Sequence, residues 1–202
     1  MPFFYTMRTS PNDQQLMINL IPKNGCTTLA NMLLQLDDIS PPPYELLDRS
    51  VYFYTHSKID VVHDYNVSWH PVKADITIAV KRDPVKRFLS FYRNRVLFHK
   101  ELNNISINEL QDNFHNYENE LTVQEHALTQ THYGGEIKYY THLYSMQEFD
   151  IIAELLSDTF NKKIVAPHLQ QGGNEIDIEL TSKQLDWIYE YYQEDYTNGW
   201  CE

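Results

Sequence analysis

The sequence is poor in cysteine, in basic residues and in long apolar runs. Only two cysteines, Cys26 and Cys201, occur among the 202 residues, so a disulfide framework is not expected and a reducing compartment is the default. No apolar run reaches the roughly 18 residues of a membrane span, and the first residues lack the basic and apolar regions of a signal peptide. These absences favour a cytoplasmic protein with no integral membrane segment.

The charge balance argues against two further classes of protein. Lys and Arg number 16 against 28 Asp and Glu, which gives a formal net charge of -12. This excess of negative charge argues against a nucleic-acid binder and against adsorption to anionic lipid. The basic residues are nevertheless concentrated, since seven of the 16 lie between Lys81 and Lys100. An acidic chain with one basic block indicates a local anion-binding site.

The apolar pattern predicts strands that alternate with helices. We expect one α/β domain over residues 1–202, built as a three-layer, mainly parallel sheet flanked by helices. A polar, partly helical insertion is expected around residues 101–135. Strands are predicted at 14–22, 51–55, 74–80, 140–145 and 162–166, and helices at 29–36, 83–102, 106–117, 146–160 and 181–196.

The first sharp motif is Ile-Pro-Lys-Asn-Gly-Cys-Thr-Thr at residues 21–28, after the first predicted strand. Gly25 permits a tight turn, and the free N–H groups of the next helix favour an anion. The pattern therefore predicts a phosphate cradle made by Lys23, Asn24, Gly25, Cys26, Thr27 and Thr28. It is not a Walker A loop, since G-x-x-x-x-G-K-[ST] is absent. An ordinary strand-to-helix turn capped by Thr27 is the alternative.

The second motif is Lys-Arg-Asp-Pro-Val-Lys-Arg-Phe-Leu-Ser-Phe-Tyr at residues 81–92, after the strand at 74–80. Asp83 is a good N-cap and Pro84 suits the first helical position. Arg82, at the end of the strand, can grip a phosphate bidentately, and Ser90 follows on the helix. Arg87 is ambiguous, because it could simply pair with an acidic neighbour. The other basic residues of the block could form a solvated helix face.

Together the two motifs resemble those of the sulfotransferases. The segment PKNGCTT is similar to their 5′-phosphosulfate loop, and KRDPVKRFLSFY is similar to their 3′-phosphate motif. The order of the two motifs and their spacing of about 60 residues also match. The likeness is strongest to Golgi-type carbohydrate sulfotransferases and their bacterial relatives, which use 3′-phosphoadenosine 5′-phosphosulfate (PAPS). It implies a P-loop-NTPase-like fold, with Arg82 and Ser90 at the 3′-phosphate.

The resemblance also implies a sulfuryl transfer to a hydroxyl group. Lys23 is the expected cation at the bridging oxygen, and no metal is required. The segment YTHSKID resembles one that carries a catalytic histidine in the heparan 2-O-sulfotransferase branch, which makes His56 the candidate base. Other histidines and Glu125 stay open as bases; the histidines are His63, His70, His126, His132 and His168. Cys26, at a helix N-terminus, has no base partner in the pattern.

The second substrate is constrained only by charge. Residues 101–202 have a net charge of -15, which disfavours a polyanionic acceptor and favours a neutral glycan or other small alcohol. The short chain, with no stem or anchor, favours a bacterial or viral enzyme. Two alternatives remain open: a non-catalytic nucleotide-binding or interaction protein, and an ATP-dependent kinase, for which we find no convincing Walker lysine and Mg²⁺-binding carboxylate.

Overall fold

A computed structural model describes residues 3–39, 62–64, 73–167 and 177–201 of the chain. Several sequence-based predictions fall outside these ranges. They are the strand at 51–55 and the histidines His56, His70 and His168.

A five-stranded sheet forms the centre of the protein. Its strands are β1 (Phe3–Thr9), β2 (Gln15–Asn19), β3 (Val62–Asp64), β4 (Ile76–Lys81) and β5 (His142–Ser145), in the spatial order β3-β1-β2-β4-β5. The pairs β2–β4 and β4–β5 are parallel, and β1 is antiparallel to both of its neighbours. Four of the five strands therefore run in one direction, which confirms the mainly parallel α/β sheet.

Strand β1 was not predicted, and it forms a hairpin with β2. The turn is closed by Ser10, whose backbone N–H donates to Gln14 O at 2.9 Å and whose hydroxyl accepts from Gln14 N at 3.1 Å. Asp13 supplies the left-handed residue of this turn, with φ +61°. The segment FFYTMRT is rich in aromatic and β-branched residues, as strands are, and the turn segment SPND follows it, so the sequence did contain the signal.

The described helices include a counterpart of each predicted helix, the first beginning three residues earlier than predicted and the others shorter or divided in two, and two more within the segment expected to be partly helical. They are α1 (Cys26–Leu36), α2 (Pro84–Phe91), α3 (Ile107–Asp112), α4 (Phe114–Tyr117), α5 (Leu121–His126), α6 (Gln130–Gly134), α7 (Phe149–Phe160), α8 (Ser182–Tyr191) and α9 (Gln193–Thr197). The predicted helix at 83–102 is α only as far as Phe91. It continues as a π-helix over Tyr92–Phe98, and a 3₁₀ turn follows at Glu101–Asn104.

The two faces of the sheet are covered differently because side chains alternate along each strand. On one face Leu16, Ile18, Ile78 and Val80 pack with residues of α1 and α7. On the other, Met17 and Ala79 pack against a cluster completed by Tyr133, Tyr140 and Trp200. Strand β4 is consequently buried on both faces, as its apolar run predicted.

A second apolar cluster lies beside the sheet and fixes the direction of α2. Phe88 and Phe91 of α2 pack with side chains from residues 105–127 and with Ile188 of α8. The predicted cap of α2 is confirmed, because the Asp83 carboxylate accepts from Lys86 N at 2.8 Å with Pro84 at the first helical position. Helix α2 therefore leaves the end of β4 in a fixed direction. No helix within the described ranges is long and apolar enough to cross a bilayer.

The prediction of a strand at 162–166 is wrong. Ile164 and Ala166 are buried, but the backbone there is satisfied by side chains instead of a strand partner. Gln35 bonds both Val165 N and Val165 O, at 3.0 and 2.8 Å, and the Ser157 hydroxyl accepts from Ile164 N at 3.0 Å. An apolar run of this length indicates burial and does not by itself indicate a strand.

A buried carboxylate ties the C-terminal helix to the start of α6. Asp195 is fully buried, and its two oxygens accept from Gln130 N and Thr131 N, both at 2.8 Å. The two backbone N–H groups belong to the first turn of α6, where a helix has no internal partners. Asp195 therefore caps α6 from a distant part of the chain.

Replacing Asp195 with alanine is expected to lower the free energy of unfolding by about 2–4 kcal/mol, because two buried N–H groups lose their acceptor. Urea unfolding followed by circular dichroism measures the change. The matched control is Glu194→Ala, which removes an exposed carboxylate one residue earlier and should cost under about 0.5 kcal/mol. Equal losses in the two variants would contradict the capping role.

Candidate active site

The loop between β2 and α1 has an unusual backbone. Lys23 and Gly25 both lie in the left-handed region, with φ +66° and +75°. Gly25 is the N-cap of α1, and no described side chain caps the helix. Thr27 therefore does not cap α1. The alternative of an ordinary strand-to-helix turn capped by Thr27 is wrong in that respect. The first-turn N–H groups and the positive end of the helix dipole face this loop.

Gly25 is also required by close packing. A β carbon at this position would lie 2.2 Å from Cζ of Phe149, at the start of α7. The loop therefore passes directly over an aromatic ring, which leaves no room for a side chain at residue 25. The left-handed φ and this contact both require glycine.

Lys23 is the lysine of the loop, and its ammonium is held inward. Its Nζ donates to Asn94 Oδ1 at 2.8 Å. Burial, together with the nearby Arg95, Arg82 and Arg87, lowers the pKa of Lys23 to about 7, although Cys26 opposes this shift. The partner Asn94 belongs to the π-helix, a form of helix that is often found at functional sites. The sequence pattern gave no sign of this contact.

Asn24 faces into the protein. It is 1% exposed, and its Nδ2 donates to Val80 O at 2.7 Å and to Gln130 Oε1 at 2.6 Å. The amide thus links the loop to the end of β4 and to the start of α6. Its Oδ1 is buried without a hydrogen-bond partner among the described residues.

Arg82 joins the two motifs that the sequence singled out. Its Nη1 donates to Lys23 O at 2.6 Å across 59 positions of sequence. Its backbone N–H donates to Gln130 Oε1 at 2.9 Å, and its carbonyl accepts from Gln130 Nε2 at 2.9 Å. Gln130 therefore fixes the backbone from which the arginine side chain extends to the loop.

Arg87 supports the loop through its buried guanidinium. It is fully buried, and its guanidinium donates to Pro22 O at 3.1 Å, Leu128 O at 2.6 Å and His126 O at 3.3 Å. The faces of the Tyr133 and Tyr192 rings lie 5.3 and 5.9 Å away. The sequence left open whether Arg87 pairs with an acidic neighbour. Its described partners are instead backbone carbonyls and aromatic rings.

The remaining predicted residues lie on the two helices that follow the motif strands. Ser90, half-buried, is the seventh residue of α2, about 9 Å along the axis from its start. Cys26 is a half-buried free thiol, Thr27 is half-buried and Thr28 is buried. Of the other basic residues, Arg95 is engaged by Glu101 through two hydrogen bonds of 2.6 and 2.9 Å. The solvated-face alternative therefore does not hold for Arg95.

One histidine lies in the electric field of the site. His126, at the end of α5, has its carbonyl bound to Arg87, and the Lys23 charge acts on its imidazole. Burial, reinforced by Lys23, Arg95 and Arg87, holds the pKa of His126 well below its usual range. The sequence named it only as one of several histidines. Among the residues described, no group of three or more His, Cys, Asp or Glu side chains is placed to hold a metal ion.

The comparison with known families decides the class of the protein. A model of the sulfotransferase family matches residues 5–198. The chain belongs to the sulfotransferase family. The match spans both motifs and all of the contacts that join them, so the resemblance of the two segments extends to nearly the whole sulfotransferase chain. No curated protein and no solved structure matches the sequence significantly.

Replacing Gly25 with alanine is expected to destabilise the sulfotransferase by about 3 kcal/mol, from backbone strain and from the Phe149 contact. The same change in a Phe149→Ala background should cost less, because only the strain at φ remains. Urea unfolding of the four proteins measures both costs. The same cost in both backgrounds would show that Phe149 does not constrain the loop.

Proposed function

We propose that the protein transfers a sulfuryl group from PAPS to the hydroxyl of a carbohydrate or other small acceptor. Membership of the sulfotransferase family supports sulfuryl transfer. The observation that carries the choice of donor is the 2.6 Å hydrogen bond from Arg82 to the Lys23 carbonyl. It brings together the two segments that resemble the 5′-phosphosulfate loop and the 3′-phosphate motif, so one nucleotide could contact both.

The loop would hold the 5′-phosphosulfate in the manner of a P-loop. The N-terminus of α1 supplies N–H groups and a favourable dipole, and Thr27 and Thr28 add hydroxyl donors. Asn24 would support the loop from inside, since both hydrogens of its amide group are bonded to protein atoms. Cys26 would contribute through its backbone at the first helical position.

The 3′-phosphate would be held by Arg82 and Ser90. A guanidinium provides two parallel N–H donors for a phosphate, and the Ser90 hydroxyl lies on α2, the helix that begins two residues after Arg82. Donor binding would therefore take Arg82 from the Lys23 carbonyl to the phosphate. The Gln130 bonds to the Arg82 backbone would keep the residue in place during that exchange.

The chemistry follows from the charges in the site. The acceptor oxygen forms a bond to sulfur while the bond from sulfur to the bridging oxygen breaks, and its electrons stay on the departing phosphate. Lys23 would stabilise that developing negative charge. A base takes the proton of the acceptor hydroxyl, and the family resemblance assigns this role to His56, which lies outside the described residues. The scheme needs no metal ion.

We expect adenosine 3′,5′-bisphosphate (PAP) to bind about 10–100-fold more tightly than AMP, because charge-assisted bonds to the 3′-phosphate distinguish them. Arg82→Ala should abolish this preference, as measured by calorimetry. Lys86→Ala is the control, since it removes an exposed cation from the first turn of α2, four residues after Arg82. Equal binding of PAP and AMP by the unaltered protein would exclude the assignment, and tighter binding of ATP with Mg²⁺ would favour a kinase.

PAP binding should take up a proton at pH 8. Lys23 is mostly neutral there because its pKa is about 7, and the bound anion favours the ammonium. Uptake should approach one proton at pH 8 and decline toward pH 6, so affinity falls by up to tenfold for each pH unit above about 7. Calorimetry in buffers of different ionisation enthalpy measures the uptake, and Lys23→Met should remove it. Uptake unaffected by Lys23→Met would assign the proton to another group.

A further inference from the structure

The imidazole of His126 has a place beside the loop that the proposed chemistry leaves unused. One guanidinium, that of Arg87, binds both Pro22 O and His126 O. Residue 126 is therefore fixed next to the residue that precedes Lys23. This arrangement places the end of α5 against the loop, although the two segments are about 100 residues apart in sequence.

The His126 ring has one acceptor atom without a partner. Its Nδ1 is buried and makes no hydrogen bond with any described residue. The Glu125 carboxylate lies 3.9 Å from Nε2, where its negative charge favours a hydrogen on that nitrogen. The neutral ring then has its lone pair on Nδ1. A buried acceptor without a donor is costly, which indicates that a donor reaches it in another state of the site.

Burial and, after it, the charged groups around the ring keep it neutral. Lys23 acts from the loop, Arg87 from α2, and Arg95 and His99 from the π-helix and its end, while Glu125 is the neighbouring acid. Lys23 is the charge with the strongest effect on the imidazole. A neutral acceptor and an ammonium group that influence each other in this way are the two partners that a hydrogen bond requires.

We propose that His126 is a positioning residue for Lys23, whose ammonium donates a hydrogen bond to His126 Nδ1 in a second side-chain conformation that the free protein also visits and that donor binding retains. An ammonium has three N–H donors, and Asn94 accepts one of them at 2.8 Å. With His126 as the second acceptor, two of the three directions are fixed by the protein. The third N–H is then directed at the bridging oxygen of the donor. This catalytic role rests on the proposed sulfuryl transfer.

The pairing of Lys23 with His126 can be tested without a donor. His126→Leu removes the acceptor, so it should lower the pKa of Lys23, whereas His126→Asn keeps an oxygen acceptor near the place of Nδ1 and should leave that pKa nearly unchanged. NMR titration of isotope-labelled lysine measures both, with the Lys23 signal assigned by its absence in Lys23→Met. His132→Leu is the matched control, because His132 is also partly buried but Lys23 is not among the charges that shift its pKa.

The catalytic consequence is read from release of sulfate from ³⁵S-labelled PAPS to water. His126→Leu should lower kcat about 10–100-fold, since misplacing a catalytic group by about 1 Å costs that much. At pH 6, where Lys23 is already charged, PAP affinity should stay within about threefold, and His126→Asn should retain most of kcat. A purely structural role would impair both variants and would alter thermal unfolding.

The outcomes separate the two proposals. An unchanged Lys23 titration in His126→Leu, or equal loss of kcat in the leucine and asparagine variants, would overturn the role of His126. If the unaltered protein releases no sulfate and binds PAP no better than AMP, the proposed function fails. The lysine titration still decides whether His126 positions Lys23 in that case.

Discussion

The site depends on the side-chain amide of Gln130, which is fully buried and bonded to three separate parts of the chain. Its oxygen accepts from Asn24 of the loop and from the backbone N–H of Arg82. Its nitrogen donates to Arg82 O at 2.9 Å and to Trp200 O at 3.1 Å. One side chain thus aligns the loop, the end of β4 and the C-terminal segment. Since a buried amide must keep its partners, these three parts move together or not at all.

The local parts of this site follow from the sequence. A buried run before Pro22, a glycine that starts a helix, and Asp83 followed by Pro84 each act through neighbours a few residues away. For this reason the two strand-to-helix units are predictable, and so is their meeting at one edge of a parallel sheet. Elementary chemistry predicts only that this edge binds an anion. The family resemblance adds which anion it would be.

The long-range parts do not follow from the sequence. Gln130 and Asp195 are 65 residues apart and resemble ordinary polar residues until folding buries them. The π-helix that presents Asn94 to Lys23 continues from an α-helical pattern with no glycine or proline to mark the change. Residues 162–166 are another example. They are buried without pairing to a strand, because the side chain of the distant Gln35 supplies hydrogen bonds to Val165. Each of these features depends on a partner that no local pattern identifies.

The charge of the site explains why these uncharged partners matter. Arg8, and Arg95 at the border of the site, face the carboxylates of Asp37 and Glu101, which offset their charges. At the loop, Lys23 donates to an amide oxygen and Arg87 to three carbonyls, so their hydrogen bonds are satisfied while their charges are not. Burial, reinforced by the neighbouring cations, lowers the pKa of Lys23 and holds His126 neutral. A bound anion would relieve this repulsion, so the same arrangement that weakens the free protein would favour the proposed phosphorylated donor.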